Sequence, residues 1–386
     1  MNLVLFEDPR LRKQLLPLTY TRPIAELRAG ITTLREKAES LLKMKASWLT
    51  EDYLQKKYPL AETNDYLLLN SSVVMTAELA EQILMMNHSE VLQQKDTVIA
   101  MRSSDINQQE YSKQLTWEKA IISIEQPWDL FRYNARLITD DFYRLTRGRM
   151  SEPLSMTNIQ TGPGDIFIEE GAKVEGAFLN PSNGPIYIGK NTEVMEGAKI
   201  RGPFAMCDHA VIKMDAKIYG GTTLGPHVKV GGEINNVVFQ GYANKAHDGF
   251  LGNAVIGQWC NLGADTNNSN LKNTYDEVKM WSYAEEHFVN TGLQFCGLIM
   301  GDHSKCGINT MFNTGTVVGV NANIYGTGFP RNFIPSFSWG GAQGFKKYNL
   351  QKAFQVASAV MQRRKIDFDQ TEQDILSHIY HQEQQE

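Results

Sequence analysis

The chain has 386 residues, 42% of them hydrophobic and 21% charged, with a formal net charge of -5. That length suits two domains with a large core. The acidic balance, without a polybasic run, argues against a nucleic acid or membrane partner. No apolar stretch approaches the about 18 residues that span a bilayer, and Met1 to Asp8 lacks the basic flank of a signal peptide. Cys207, Cys260, Cys296 and Cys306 are scattered without a CxxC spacing and read as reduced core residues. These features together predict a cytoplasmic enzyme or scaffold.

In chain order, residues 1–150 read as an α/β domain. Leu3 to Phe6 is a strand. Pro23 to Leu42 is helix-like, with Ile24, Leu27, Ile31, Leu34 and Ala38 on one face. Tyr66 to Leu69 and Thr97 to Met101 are short apolar strands suited to a parallel sheet. Asp129 to Arg147 is a helix leading into a second domain at 151–345, followed by a helical tail at 346–386.

The second domain has a six-residue rhythm. From Ile188, every sixth residue is apolar: Val194, Ile200, Met206, Ile212, Ile218, Leu224 and Val230. Four residues after each apolar one comes a small or β-branched residue, as at Thr192, Ala198, Ala210, Ala216, Thr222 and Val228, with Phe204 the exception. The period returns at Phe250, Ile256 and Leu262, and again from Met300 to Ile324. Each hexapeptide predicts one short strand and a turn. Three make a coil, and stacked coils bury the apolar residues. The longest interruption, Gly263 to Ile299, holds an exposed-looking Trp281-Ser282-Tyr283 and Glu285-Glu286. The rhythm resembles the hexapeptide-repeat, left-handed parallel β-helix of acyltransferases.

The stretch Asn244-Lys245-Ala246-His247-Asp248-Gly249-Phe250-Leu251-Gly252-Asn253-Ala254 continues through Asn261-Leu262-Gly263-Ala264-Asp265-Thr266 to Asn270. It resembles the acetyltransferase domain of the bifunctional UDP-N-acetylglucosamine pyrophosphorylase/glucosamine-1-phosphate N-acetyltransferase family. The resemblance implies that His247 is the general base. Histidine titrates near neutrality and can take the proton an amine must lose to attack a thioester. It further implies that Lys245, Phe250, Asn261 and Asn270 serve the acceptor sugar. Ala264, Gly307, Ile308 and Tyr325 would line the path of acetyl-CoA. Phe250 stands where the family has tyrosine, and the family's phosphate-gripping arginine and lysine have no clear counterparts; Asn235 sits near where the lysine would be.

The run Leu16-Pro17-Leu18-Thr19-Tyr20-Thr21-Arg22-Pro23 and the segment Trp128 to Asn134 resemble a compact, Rossmann-like variant of the same family's nucleotidyltransferase domain. Its glycine-rich phosphate loop is replaced by Glu7-Asp8-Pro9-Arg10-Leu11-Arg12-Lys13. Arg10, Arg12, Lys13 and Arg22 are candidates to hold the phosphates of UTP or dTTP by charge, or else form a solvated face. Asn70 ends a strand where the family binds Mg²⁺ through an aspartate. The resemblance also implies a homotrimer.

Three readings compete. The first is an acetyl-CoA-dependent N-acetyltransferase acting on an amino-sugar phosphate, alone or followed by uridylyl transfer. The second is a sugar-1-phosphate nucleotidyltransferase with a structural β-helix. The third is a non-catalytic sugar-nucleotide sensor. A rival metal site, His209 with His227 one coil away, reads more simply as two solvated turn residues, and no metal is expected there. Arg363 and Arg364 read as a surface pair.

Overall fold

The structure is a computed structural model that describes residues 1–108 and 111–382. The chain divides into two compact units. One comprises residues 1–15, 21–27 and 32–126, and the other comprises 16–20, 28–31 and 127–386. The helix Asp129–Thr146, expected to close the first domain, belongs with the coils. Its Asn134 donates to Gly221 O at 2.7 Å and to Thr223 Oγ1 at 3.0 Å, and accepts from Gly30 N–H at 2.8 Å.

The first unit is a six-stranded mixed sheet. Its strands are β1 (Asn2–Phe6), β2 (Ala46–Leu49), β3 (Tyr66–Asn70), β4 (Glu90–Gln94), β5 (Thr97–Ser103) and β6 (Lys113–Thr116), in the order β2-β1-β3-β5-β4-β6. β1 pairs in parallel with β2 and β3. β5, expected to be parallel, instead runs antiparallel to β3. The cause is a tight hairpin between β4 and β5, closed by Gln94 opposite Thr97 with Lys95 in the left-handed region (φ 49°). Helices Leu34–Leu42 and Ala77–Leu84 bury Leu42, Ala38, Leu79 and Ile83 in one core with Leu3, Leu67 and Ile99.

The long helix expected over Pro23 to Leu42 is only Leu34–Leu42, preceded by a single 3-10 turn at Ile24–Glu26. Gly30 adopts φ +78°, which breaks the helix. A capping box then starts a new one: Glu36 N–H donates to Thr33 Oγ1 at 3.1 Å, and Thr33 N–H to Glu36 Oε2 at 2.8 Å. The helical apolar pattern therefore runs through a break it cannot register.

The second unit is a parallel β-helix with C-terminal helices. Ile186–Ile188 pairs with Phe204–Met206, and that strand with Thr222–Leu224, each a full three-hexapeptide coil later. Ile188, Val194, Ile200, Met206, Ile212, Ile218, Leu224 and Val230 are all sealed in one continuous core. Each contributes on the order of 1.5–3 kcal/mol by leaving water. Phe204, the exception in the small-residue series, also lies in that core.

Two departures matter for function. Leu251, not Phe250, is the inward residue of its strand, because Ile234 pairs with Leu251 across a coil shorter than the regular ones. The largest interruption holds the antiparallel hairpin Lys279–Ser282 with His287–Asn290. Trp281 and Tyr283, read as exposed, pack on Phe333 with ring centroids 4.3 and 5.5 Å away, while Glu285 and Glu286 stay exposed. The tail forms helices Leu350–Gln362 and Gln370–Gln382. Among the described residues no helix is long and apolar enough to cross a membrane.

Candidate active site

The site begins where the coils become irregular. Val230 pairs with Lys245, across a coil shorter than the one that joins Ile212 to Val230. Lys245 thus occupies the inward column that Val194, Ile212 and Val230 fill in the coils before it. It is 1% exposed. Its ammonium donates to the backbone oxygens of Gly231 (3.2 Å), His247 (2.8 Å) and Asp248 (3.3 Å). Burial pulls its pKa down to about 8, with Asp248 opposing that shift. Lys245 therefore meets the backbone beneath the turn, and His247 and Asp248 stand exposed at the surface of that turn.

The following coil closes the other side of the turn. Gly249 adopts φ +114°, and a Cβ there would lie 2.2 Å from Thr266 O. Asn267 Oδ1 accepts from Phe250 N–H at 2.7 Å. Asn268 fills an inward slot opposite Phe312 and bonds both backbone groups of Gly252, at 2.8 and 3.0 Å. Asn270 donates to Asn253 Oδ1 at 2.8 Å. Gly252 leaves room for the Phe250 ring and the Asn270 amide, each within 3 Å of where its Cβ would be. Phe250 and Asn270 are therefore brought together. Asn261 accepts from Asn244 Nδ2 at 2.8 Å on the face before the turn.

Above His247 the same corner continues. Register places Asn244 beside Asn261, Leu262 beside Cys306 and Cys306 beside Ile324, so the turns that follow each pair stack. Asp265 N–H donates to Asp248 O at 3.1 Å, and Asn309 N–H to Ala264 O at 2.8 Å. Gly263 leaves no room for a side chain against Gly307, and Gly307 lies against the Tyr325 Cβ. Ala264 and Ile308 thus stack above His247, with Gly307 and Tyr325 in the adjoining row above Gly263, and Ile308 is 69% exposed.

Asn253, Asn267 and Asn268 are site residues that sequence reasoning misses. The available signal is the failure of the hexapeptide rhythm itself, with asparagine at an inward slot where an aliphatic belongs.

The candidates in the first unit do not form one patch. Arg10 and Lys13 are exposed, whereas Arg12 and Arg22 are buried. Arg12 pairs with Glu7 at 3.1 Å and donates to Arg22 O at 3.2 Å and Tyr53 Oη at 3.0 Å. The adjoining cleft of about 260 Å³ is lined by Glu7, Glu51 and Asp52 as well as Arg12. Asn70 donates to Val98 O at 2.9 Å and accepts from Ser72 N–H at 3.0 Å. Both ends of its amide are engaged, and among the described residues no three His, Cys, Asp or Glu side chains converge as ligands. This donor set does not fit Mg²⁺.

His209 and His227 do stack, with ring centroids 4.6 Å apart and planes 9° from parallel. They open a ladder that continues through Tyr242 and Trp259 to His303. Face-to-face rings of this kind pack together and do not point their nitrogens at a shared ion.

Residues 3–150 match the model of a family described as sugar nucleotidyl transferase. An uncharacterized acetyltransferase, YaiX, of Escherichia coli O6:K15:H31 is 28% identical over 149 residues, covering 38% of this chain and 64% of the relative. The bifunctional protein GlmU of Methanocaldococcus jannaschii is 26% identical over 201 residues, covering 52% and 42% respectively. GlmU of Synechococcus elongatus is 23% identical over 258 residues, covering 59% and 52%. The chain spans less than two thirds of the length of these relatives. A solved UDP-N-acetylglucosamine acyltransferase from Arabidopsis matches 57% of this chain and 79% of its own, at 13% identity and a TM-score of 0.23.

Proposed function

We propose that the β-helix unit transfers an acetyl group from acetyl-CoA to the amine of an amino-sugar phosphate. The observation that carries this reading is an exposed His247 on a turn pinned from inside by Lys245, at the foot of the stacked turns that carry Ala264, Gly307, Ile308 and Tyr325. His247 takes a proton from the amine as its nitrogen attacks the thioester carbonyl. An N–C bond forms, the C–S bond breaks, and the proton passes to the departing sulfur. Backbone N–H groups of the stacked turns would meet the developing oxyanion. Phe250 and Asn270 together supply a sugar-sized surface beside the histidine. The resemblance to GlmU and YaiX supports acetyl transfer as the reaction class. The functional assembly is a homotrimer, acting in the cytoplasm.

Thiol release from acetyl-CoA, measured with glucosamine 1-phosphate and other amino-sugar phosphates, tests the reading. Turnover by the natural chain that is lost in His247→Ala is expected. No release with any amino sugar would refute it.

A second reading gives the first unit sugar-1-phosphate nucleotidyl transfer with UTP or dTTP, supported by the family match over residues 3–150. The pairing of Arg12 with Glu7 weighs against a phosphate role for that arginine. Pyrophosphate release that survives His247→Ala would favour this activity.

A further inference from the structure

The face of the β-helix that carries Phe250 has an outward column fixed by register. Phe178 pairs with Lys199, Lys199 with Lys217, Lys217 with Glu233, and Glu233 with Phe250. The inward partners of that column, Leu179, Ile200, Ile218, Ile234 and Leu251, are buried, so the column faces out. Its early coils form a groove of about 520 Å³ lined by Phe178, Lys199, Arg201, Lys217 and Tyr219, a size that suits a small-molecule site. Lys199 lies over the Phe178 ring at 5.8 Å and within 3.6 Å of Asp215. Among the described residues, Arg201 and Lys217 have no carboxylate partner. Phe178 and Tyr219 are each 40% exposed.

We infer that this groove holds the diphosphate and base of a nucleoside-diphosphate amino sugar whose amine reaches His247. The inference rests on the acetyl-transfer reading for what the bound molecule is for. Adjacent coils are about 4.8 Å apart, roughly the width of one sugar ring. A sugar 1-phosphate with its amine at the His247 coil would put its one phosphate level with Glu233, against a carboxylate. A second phosphate extends one coil further, to Lys217, with Arg201 on the coil after that, and both offer charge-assisted bonds. Glu233 then faces the sugar rather than a phosphate. The base beyond meets the Phe178 ring two coils past Lys217, with the Tyr219 ring beside Lys217 on its own coil, and aromatic faces offer stacking to any base. Acetyl-CoA also carries a nucleoside diphosphate. The stacked turns assigned to it, however, run from Ala264 to Tyr325 on the other side of the His247 coil, so the groove serves the acceptor. The acetylation balances as above: the amine gains the acetyl group, and coenzyme A leaves with the proton.

Calorimetric titration of the full chain and of its Arg201→Ala/Lys217→Ala variant with UDP, and separately with 3′-phosphoadenosine 5′-diphosphate, tests the site. UDP should bind the variant at least about tenfold more weakly, with the adenosine compound unaffected. Coenzyme A release should be faster with UDP-glucosamine than with glucosamine 1-phosphate. UDP affinity unchanged in the variant would overturn the inference. So would loss of the adenosine compound instead, or a changed elution volume marking the groove as a contact between copies. Loss of UDP binding with no amino sugar acetylated would uphold the nucleotide site and defeat only the acetyl-transfer reading. Circular dichroism confirms that the variant keeps its coils, and Phe178→Ala provides a second variant with the same expected direction.

Discussion

The coils from Ile186 to Val230 use strands of two or three residues, those from Gly231 to Asn270 include two strands of seven, and the two sets do different things with their interiors. The first set puts Ile188, Val194, Ile212 and Val230 inward, and its buried hydroxyls, such as Thr192 donating to Gly189 O, serve their own turns. The second puts Lys245 and Asn268 inward, and both use their hydrogen bonds to fix backbone on either side of the His247 turn. The regular coils are held mainly by apolar burial. The irregular ones give up some of that stability to hold one turn in one place, which is the expected signature of a functional region.

The largest expected effect falls in the regular coils. Phe204→Ala removes a fully buried ring and should cost about 3–5 kcal/mol, read by denaturant unfolding. The folded fraction should keep its activity; a variant that is stable but inactive would blur the division. Gly249→Ala crosses into the irregular coils. Its positive φ and the nearby Thr266 carbonyl predict about 1–3 kcal/mol of strain, with acetyl transfer falling more steeply than the melting temperature.

Lys245→Met sharpens the contrast further. An apolar side chain restores the column, so stability should change by no more than about 1–2 kcal/mol, while kcat falls at least about tenfold as the turn loosens. The pH dependence has a definite sign. Burial lowers the Lys245 pKa to about 8, so between about pH 8 and about pH 10.4 the unfolded chain binds more protons than the folded one. Stability from this group therefore rises with pH across that window. The melting temperature of the natural chain minus that of Lys245→Met should become more positive from pH 7 to pH 10. A difference that shrinks would contradict the burial argument.

The smallest effect is expected at Ile308→Ala. Stability should stay within about 0.5 kcal/mol because the side chain is exposed, and the change should appear as a few-fold rise in KM for acetyl-CoA.

Much of this is legible in the sequence, for reasons specific to each region. A period of six survives because each aliphatic must enter a prism of fixed width, so Ile188 to Val230 can be placed one by one. Where the coils shorten, as at Lys245 and Leu251, the period slips, and a fixed rhythm puts Phe250 inside when it faces out. The resemblance carries His247, but not the asparagines at 267 and 268, whose importance comes from backbone groups they meet only in the folded coil. In the first unit the basic residues can be counted but not oriented, and Arg12 turns inward to Glu7.

The most direct test of the His247 corner is the rate of acetyl transfer in His247→Ala, with and without added imidazole. Loss of general-base catalysis should slow the reaction about 10²- to 10⁴-fold, with partial recovery as imidazole fills the space left by the ring. A variant as fast as the natural chain, indifferent to imidazole, would contradict the account.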